Sequence, residues 1–319
     1  MRDHGGNLDA AMARWGGGPD DWVDLSTGIN PTPYPLPDIP ARAWGALPTR
    51  ADFDALSDAA QAAYGAAGAV LPVAGAQAAI QLLPRVLPRG RARVLGPTYN
   101  EHAASFAGAG WETETVASVE ALEGADVAVV VNPNNPDGRR LSREALSALA
   151  SKVGLLVVDE SFADPEPELS MADEGTPNIL ILRSFGKFYG LAGLRLGFVL
   201  GSPDRIAALA EASGPWPVSG PAIAIGQAAL ADSTWRDETV VRLARDADRL
   251  DSLATGMGWT VEGGTTLFRL YRTTDARAAQ ERLAQARVWS RIFPYSTSWI
   301  RLGLPDGADW TQIEAALRA

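Results

Sequence analysis

The chain has 319 residues, with 28 Lys and Arg against 38 Asp and Glu, and a formal net charge of −10. It shows no dense basic run, so nothing in the balance suggests nucleic acid. It has no cysteine and only two histidines, His4 and His102, which excludes disulfides, thiolate catalysis and metal sites rich in Cys or His.

A hydrophobic content of 46% and a charged content of 21% describe a globular protein able to bury a large core, as one large domain or two unequal ones. No run approaches the ~18 apolar residues of a membrane span. The first residues carry no apolar targeting segment, so a cytoplasmic protein is expected.

Residues 1–40 are rich in Gly and Pro. They hold His4-Gly5-Gly6-Asn7, Asp24-Leu25-Ser26-Thr27-Gly28-Ile29-Asn30-Pro31, and then Pro33, Pro35, Pro37 and Pro40. An extended arm is expected here, docked through Trp15, Trp22 and Leu25 and packing with the smaller domain. A helix over 52–64 ends at Gly65. Gly75-Ala76-Gln77 then opens another helix, whose first amides are available to a phosphate.

From there strands and helices alternate. A short strand ends at Leu95, and Pro97-Thr98-Tyr99-Asn100-Glu101-His102 turns into a helix to about residue 108. Val127–Val131 is a fully apolar strand running into Asn132-Pro133-Asn134-Asn135-Pro136-Asp137-Gly138. Ser142 is placed to cap a helix to about Lys152, and Leu155–Val158 is an apolar strand ending in Asp159-Glu160. Continuous apolar strands joined by helices predict a mostly parallel sheet covered on both faces, with ligands at the strand C-terminal edge. Asn135, Asp159 and Lys187 share that edge.

The stretch Ser184 to Phe198 lies between strand-like Ile179–Leu182 and Leu196–Leu200. Its glycines at 186, 190, 193 and 197 predict a loop with its backbone pressed close to something. Gly214-Pro215-Trp216-Pro217 and Gly220-Pro221 mark a boundary. Helices at 221–231 and 234–256, a strand at 264–270, a helix at 274–286, a strand at Trp299–Gly303 and a final short helix follow. The expected organisation is an arm (1–40), a large α/β domain (41–213) and a smaller α+β domain (214–319).

Lys187 in an apolar, aromatic setting can lose its proton to desolvation and form a Schiff base, and Ser184 and Arg195 are residue types that hold a phosphate. Together they are the kit that anchors pyridoxal phosphate. Asp159, closing a buried strand, needs a cationic partner, and a protonated pyridine nitrogen is one. Asn135 is placed to bond the ring's 3′ oxygen, Tyr99 to stack on its face, and His102 to support Asp159 from behind. Each residue alone has an ordinary alternative: a surface Lys, a salt-bridged Arg, a capping Asp, a turn Asn, a core Tyr and a core His. As an ordered set they favour the cofactor.

These residues resemble, over nearly the full length, the fold-type I pyridoxal-phosphate enzymes of the class I/II aminotransferase superfamily. The resemblance maps the family's Ser-x-x-Lys…Arg onto Ser184, Lys187 and Arg195. Its Asn-Pro-x-Gly turn maps onto Asn135-Pro136-Asp137-Gly138, its strand-end Asp onto Asp159, and its C-terminal carboxylate-binding Arg onto Arg301. It implies pyridoxal 5′-phosphate as cofactor, with Gly75, Ala76, Gln77, Tyr99, His102, Asn135, Asp159, Ser184, Lys187 and Arg195 around it, and a homodimer.

Within the superfamily the chain is similar to the histidinol-phosphate aminotransferase and threonine-phosphate decarboxylase branch. The segments at 4–7 and 24–31 resemble the decarboxylases of cobalamin synthesis more. That likeness implies His4, Asn30 and Arg291 near a substrate phosphate. It also implies PLP-dependent decarboxylation of L-threonine O-3-phosphate, with catalytic Lys187 and Asp159. An aminotransferase acting on histidinol phosphate or a related amino acid phosphate is the alternative, and a non-catalytic scaffold of the same fold a third. Two positions depart from the family pattern. Phe162 stands where a Tyr usually donates to the 3′ oxygen, and Ala46-Leu47-Pro48 stands where Arg-Tyr-Pro is frequent.

Overall fold

The apolar runs Val127–Val131 and Leu155–Asp159 become neighbouring parallel strands in the interior of a seven-stranded sheet. Every residue of both is buried, so both faces of the sheet are covered there. From edge to edge the order is Ala69–Val73, Gly197–Gly201, Ile179–Ser184, Leu155–Asp159, Val127–Val131, Arg91–Leu95 and Glu112–Val116. Only Gly197–Gly201 runs antiparallel to its neighbours. Both edges carry residues suited to an edge. Glu112, Glu114 and Thr115 face solvent on one, and Pro72, which has no N–H to donate, sits in the other. The core gathers Val129, Val157, Leu180, Leu182 and Val199 with Leu83, Phe106 and Trp111.

This computed structural model describes residues 4–318, and its Cα packing separates two compact units. The larger is Tyr34–Asn135 with Arg140–Arg236 and holds the seven-stranded sheet. The smaller is made of residues up to Pro33, Pro136–Arg139 and Asp237 onward. The divisions thus fall at 33/34 and inside the helix Ser233–Gly256, where the composition shifts suggested 40 and 213.

Local chemistry sets the helix ends. Thr49 and Asp52 form a reciprocal capping box, which starts the helix at Arg50, and Gly65 ends it in the left-handed conformation. Ser142 Oγ accepts from Ala145 N, 3.3 Å away, and starts Arg143–Ala150. After Ser184 the expected loop is instead a helical turn, Phe185–Phe188, followed by a 3-10 turn at Ala192–Leu194. The edge strand Glu112–Val116 and the helix Pro203–Ser213 had no counterpart in the sequence reading.

The smaller unit contains a four-stranded antiparallel sheet in the order Arg291–Phe293, Ser296–Gly303, Phe268–Arg272 and Thr260–Thr265. The strand expected at 264–270 is instead a hairpin of Thr260–Thr265 and Phe268–Arg272 that turns at Thr266–Leu267. The N-terminal segment is not wholly extended, since Leu8–Trp15 is a helix whose Ala11 is buried. Trp15 and Trp22 pack on Trp289 at 5.7 and 6.4 Å, and Val23–Asp24 pairs with Val288–Trp289. Gly138 is required where it stands: a Cβ there would lie 2.1 Å from Gly264 O, and Gly264 N bonds Asp137 O.

In the larger unit a buried ion cluster stands beneath the sheet end. Arg183 Nη1 and Nη2 reach Glu160 Oε2 at 2.8 Å and Asp164 Oδ1 at 3.3 Å, and the guanidinium lies 4.2 Å from the centre of the Tyr64 ring. Burial pushes both carboxyls up from their usual range despite Arg183. It opposes the Arg183 charge too, yet Asp164 and Glu160 outweigh it and raise that group. Removing the cation strands two buried carboxylates. Arg183→Met should therefore cost about 3–5 kcal/mol, read as a lower urea midpoint at unchanged slope.

Candidate active site

Three strands of the larger sheet end side by side at Val131, Asp159 and Ser184, and a cavity of about 180 Å³ opens beyond them. Its polar lining is Gln77, Tyr99, Asn135, Asp159, Ser161, Ser184, Lys187 and Arg195, and its apolar walls include Ile80, Val131 and Phe162. Eight of the ten sequence-derived cofactor residues meet here, counting Ala76. The other two, Gly75 and His102, sit against residues that line it.

Asp159 defines one end. It is 3% exposed, and its Oδ2 lies 2.8 Å from His102 Nε2. An ionised carboxylate only accepts, so the imidazole carries its proton on Nε2. Oδ1 takes two bonds from Ser161, from the backbone N at 3.0 Å and from Oγ at 2.5 Å. Burial alone would raise the carboxyl. The His102 and Ser161 bonds outweigh it and hold the group below its ordinary value. Sequence reasoning placed His102 correctly behind Asp159 but missed Ser161, since a Ser two residues after an Asp carries no signal beyond an Asx-type turn.

The opposite end is built for an anion. The helix Ala76–Val86 begins there with Gly75 at φ 78°. A Cβ on Gly75 would stand 2.7 Å from Arg195 Nη2, and one on Gly197 would stand 2.5 Å from Ala76 N. The glycines thus let a guanidinium and a helix N-terminus approach each other, where an anionic group gains from both. Arg195 itself is left-handed at φ 54°, with Nη1 donating to Ala192 O at 3.1 Å. Tyr99 lines the cavity and donates to Gln77 Oε1 at 3.0 Å, which ties the wall to the helix start. Lys187 Nζ lies 5.7 Å from the Phe162 ring centre, an aromatic wall with no hydroxyl.

In the smaller unit Arg291 and Arg301 are directly opposed across antiparallel strands. Arg301 is 6% exposed, donates from Nη2 to Ser26 O at 2.6 Å and lies over the Phe268 ring. Burial, with Arg291 beside it, pushes its guanidinium down to about 10. Like charges held face to face are costly, and an anion relieves that cost. The two N-terminal motifs meet here, with Gly6 N donating to Ser26 Oγ at 2.6 Å. His4, Ser26, Ser290 and Arg291 line a cavity of about 720 Å³ in this unit. Ser290 Oγ is buried and makes no hydrogen bond among the described residues. Asn30 is not in that lining. Its Oδ1 accepts from Thr32 N at 3.1 Å and from Arg242 Nη2 at 2.8 Å.

A lysine, a charged strand-end carboxylate and a Ser–Arg–helix cradle on an α/β sheet define a pyridoxal-phosphate enzyme of fold type I, and the donor set fits that cofactor from end to end. The aminotransferase class I and II family model matches residues 48–319, and the chain belongs to that family. The chain is 45% identical over 324 aligned positions to a threonine-phosphate decarboxylase from Sinorhizobium sp, covering 98% of this chain and 97% of that protein. It is 44% identical over 328 positions to the threonine-phosphate decarboxylase of Pseudomonas aeruginosa, covering 99% and 97%. The solved histidinol-phosphate aminotransferase of Sinorhizobium meliloti, in complex with pyridoxal-5′-phosphate, shares the fold with a TM-score of 0.83 at 19% identity, covering 99% and 94%.

The depressed Asp159 carboxyl has a pH consequence. Its stabilising contribution is complete above the unfolded value of about 3.9 and is lost as pH falls through the lower folded value. His102→Leu removes one donor and lets burial raise the group. The variant should lose about 1–3 kcal/mol at neutral pH, and the gap to wild type should narrow as pH falls toward about 4, as urea titrations at a series of pH values would show.

Proposed function

We propose that this protein is a pyridoxal 5′-phosphate-dependent lyase of the cytoplasm. In this reading it decarboxylates L-threonine O-3-phosphate to (R)-1-aminopropan-2-ol O-phosphate in cobalamin biosynthesis. The observation that carries the reading is identity of 44–45%, over nearly the full length of both partners, to two threonine-phosphate decarboxylases. The lysine–carboxylate cavity and the opposed arginines supply the chemistry such a reaction asks for.

When bound, the protonated pyridine ring of the cofactor draws in the electron pair of the bond that breaks. Asp159 would keep the proton on the ring nitrogen. Lys187 would be the attachment point for the cofactor, and its amine is the group assigned to hold the proton that Cα receives. Ser184, Arg195 and the amides of Ala76 and Gln77 hold the cofactor phosphate, and Asn135 bonds the ring oxygen. Arg301 would take the substrate carboxylate, and Arg291 with His4 its phosphate, while Asn30 lies outside the lining of that cavity. The Cα–carboxylate bond breaks, CO₂ leaves, and one proton replaces it. Transamination would break Cα–H instead, so the orientation imposed by Arg301 decides the outcome.

Incubation of the loaded protein with threonine phosphate should release CO₂ and yield the amino alcohol phosphate without added 2-oxoglutarate. Glutamate formed only with 2-oxoglutarate, and no CO₂, would overturn the assignment in favour of an aminotransferase. Lys187→Ala should abolish both turnover and the visible absorbance of the bound cofactor while leaving the circular dichroism unchanged.

The reading extends to a homodimer. Leu36, Trp44, Leu47 and Trp216, all in the larger unit, are 52–69% exposed. Trp216 is held left-handed at φ 56° with its indole N–H on Pro48 O, which keeps a large apolar side chain turned to solvent beside the 44–48 segment. Exposed apolar surface of this kind favours association. Sedimentation should give twice the 33.7 kDa chain mass, and Trp44→Glu with Trp216→Glu should shift it to the monomer.

A further inference from the structure

The hydroxyl of Ser161 is bonded to the most buried charge of the cavity, Asp159. Ser161 is 7% exposed and lines the cavity, and its Oγ meets Asp159 Oδ1 at 2.5 Å. The backbone N of the same residue reaches that oxygen at 3.0 Å, while His102 holds the other oxygen. A carboxylate offers about four lone-pair sites, so three are taken by the chain. The remaining acceptor capacity lies on Oδ2. Val131, Ile80 and Phe162 wall the cavity with carbon, and Phe162 offers no donor that would polarise a bound ring from elsewhere.

We infer that Ser161 is a positioning residue for the ring nitrogen of the cofactor: its hydroxyl fixes the plane and the charge of Asp159, so that the free lone pair of Oδ2 meets a protonated ring nitrogen. This rests on the reading of the cavity as the pyridoxal-phosphate site. The backbone bond cannot do this alone. It ties Oδ1 to the turn and His102 ties Oδ2, which leaves one bond on each oxygen and the carboxylate able to twist about the line between them. The second bond to the same oxygen, opposed by His102 on the other, removes that freedom. The hydroxyl acts on the carboxylate and touches neither the reacting carbon nor the leaving group.

The test is cofactor uptake by the apoprotein, read by absorbance titration, with two ligands. One is pyridoxal 5′-phosphate. The other is its 1-deaza analogue, which carries C–H where the ring nitrogen stands and makes no ionic bond to Asp159. Ser161→Ala, which keeps the backbone bond and loses only the hydroxyl, should weaken pyridoxal phosphate roughly tenfold, the scale of one hydrogen bond to a charged group. It should leave the deaza analogue within about twofold, well under that scale. Ser161→Thr, which keeps the hydroxyl, should restore pyridoxal phosphate binding. An equal loss for both ligands, or no loss for either, overturns the assignment of Ser161 alone. Wild-type protein that takes up no pyridoxal phosphate overturns both this inference and the functional reading beneath it.

Discussion

A carboxylate kept ionised at the end of a buried strand is the constraint around which the larger unit is arranged. Asp159 terminates Leu155–Asp159, a strand buried along its whole length, and so sits where an unpaired charge is least tolerated. The fold answers with donors brought from two directions. The helix Glu101–Gly108 returns over the sheet and delivers His102, and the chain turns at once after the strand to deliver Ser161. The arrangement is costly to assemble and has no structural purpose that a Val at 159 would not serve better. That imbalance is the physical argument for the cofactor role proposed for the carboxylate.

The other end of the same cavity solves the opposite problem with very little charge. A protein of net charge −10 cannot hold a phosphate with a broad basic surface. The phosphate cradle proposed here consists of one guanidinium, one hydroxyl and the first amides of a helix, with glycines allowing the close approach. Gly75 and Gly197 are the expression of that choice, since a Cβ on either would strike Arg195 or the backbone of Ala76. The left-handed Arg195 belongs to the same device, its backbone bent so that the side chain returns toward Gly75. Gly186 and Gly197 therefore record close approach of backbone, whereas a Cβ on Gly193 would meet nothing within 4 Å.

The central strands and the cavity were legible in the sequence for a physical reason. Strands buried on both faces must be continuous apolar runs, and ligand chemistry collects where such runs stop, so Asp159, Asn135 and Lys187 announced themselves by position. The hairpin at 260–272 was hidden because its turn, Thr266–Leu267, carries none of the Asn-Gly or Asp-Gly chemistry that marks short hairpins. The helix Leu8–Trp15 was hidden by the glycines on either side of it. The edge strand Glu112–Val116 reads as polar because only one of its residues is buried. Ser161 was illegible for a different reason. Its role exists only in three dimensions, as the second of two bonds to a single oxygen.

The choice of which bond to break does not reside in this cavity. Lys187, Asp159 and the phosphate cradle would serve decarboxylation and transamination alike, since each acts on the cofactor. Selection has to come from groups that grip the substrate, and the proposed reading gives that task to Arg291 and Arg301. Arg291 and Arg301 are opposed across a strand pair, one of them buried and pushed down to about 10, with Ser26 O as the polar contact of Arg301 Nη2. A strand pair under that repulsion gains more from binding a doubly anionic small molecule than a relaxed one would. The gain is directional, because the guanidinium of Arg301 is already tied to Ser26 and to the face of Phe268. In the proposed reading, a guanidinium held in this way would orient the substrate carboxylate and with it the bond at Cα that breaks.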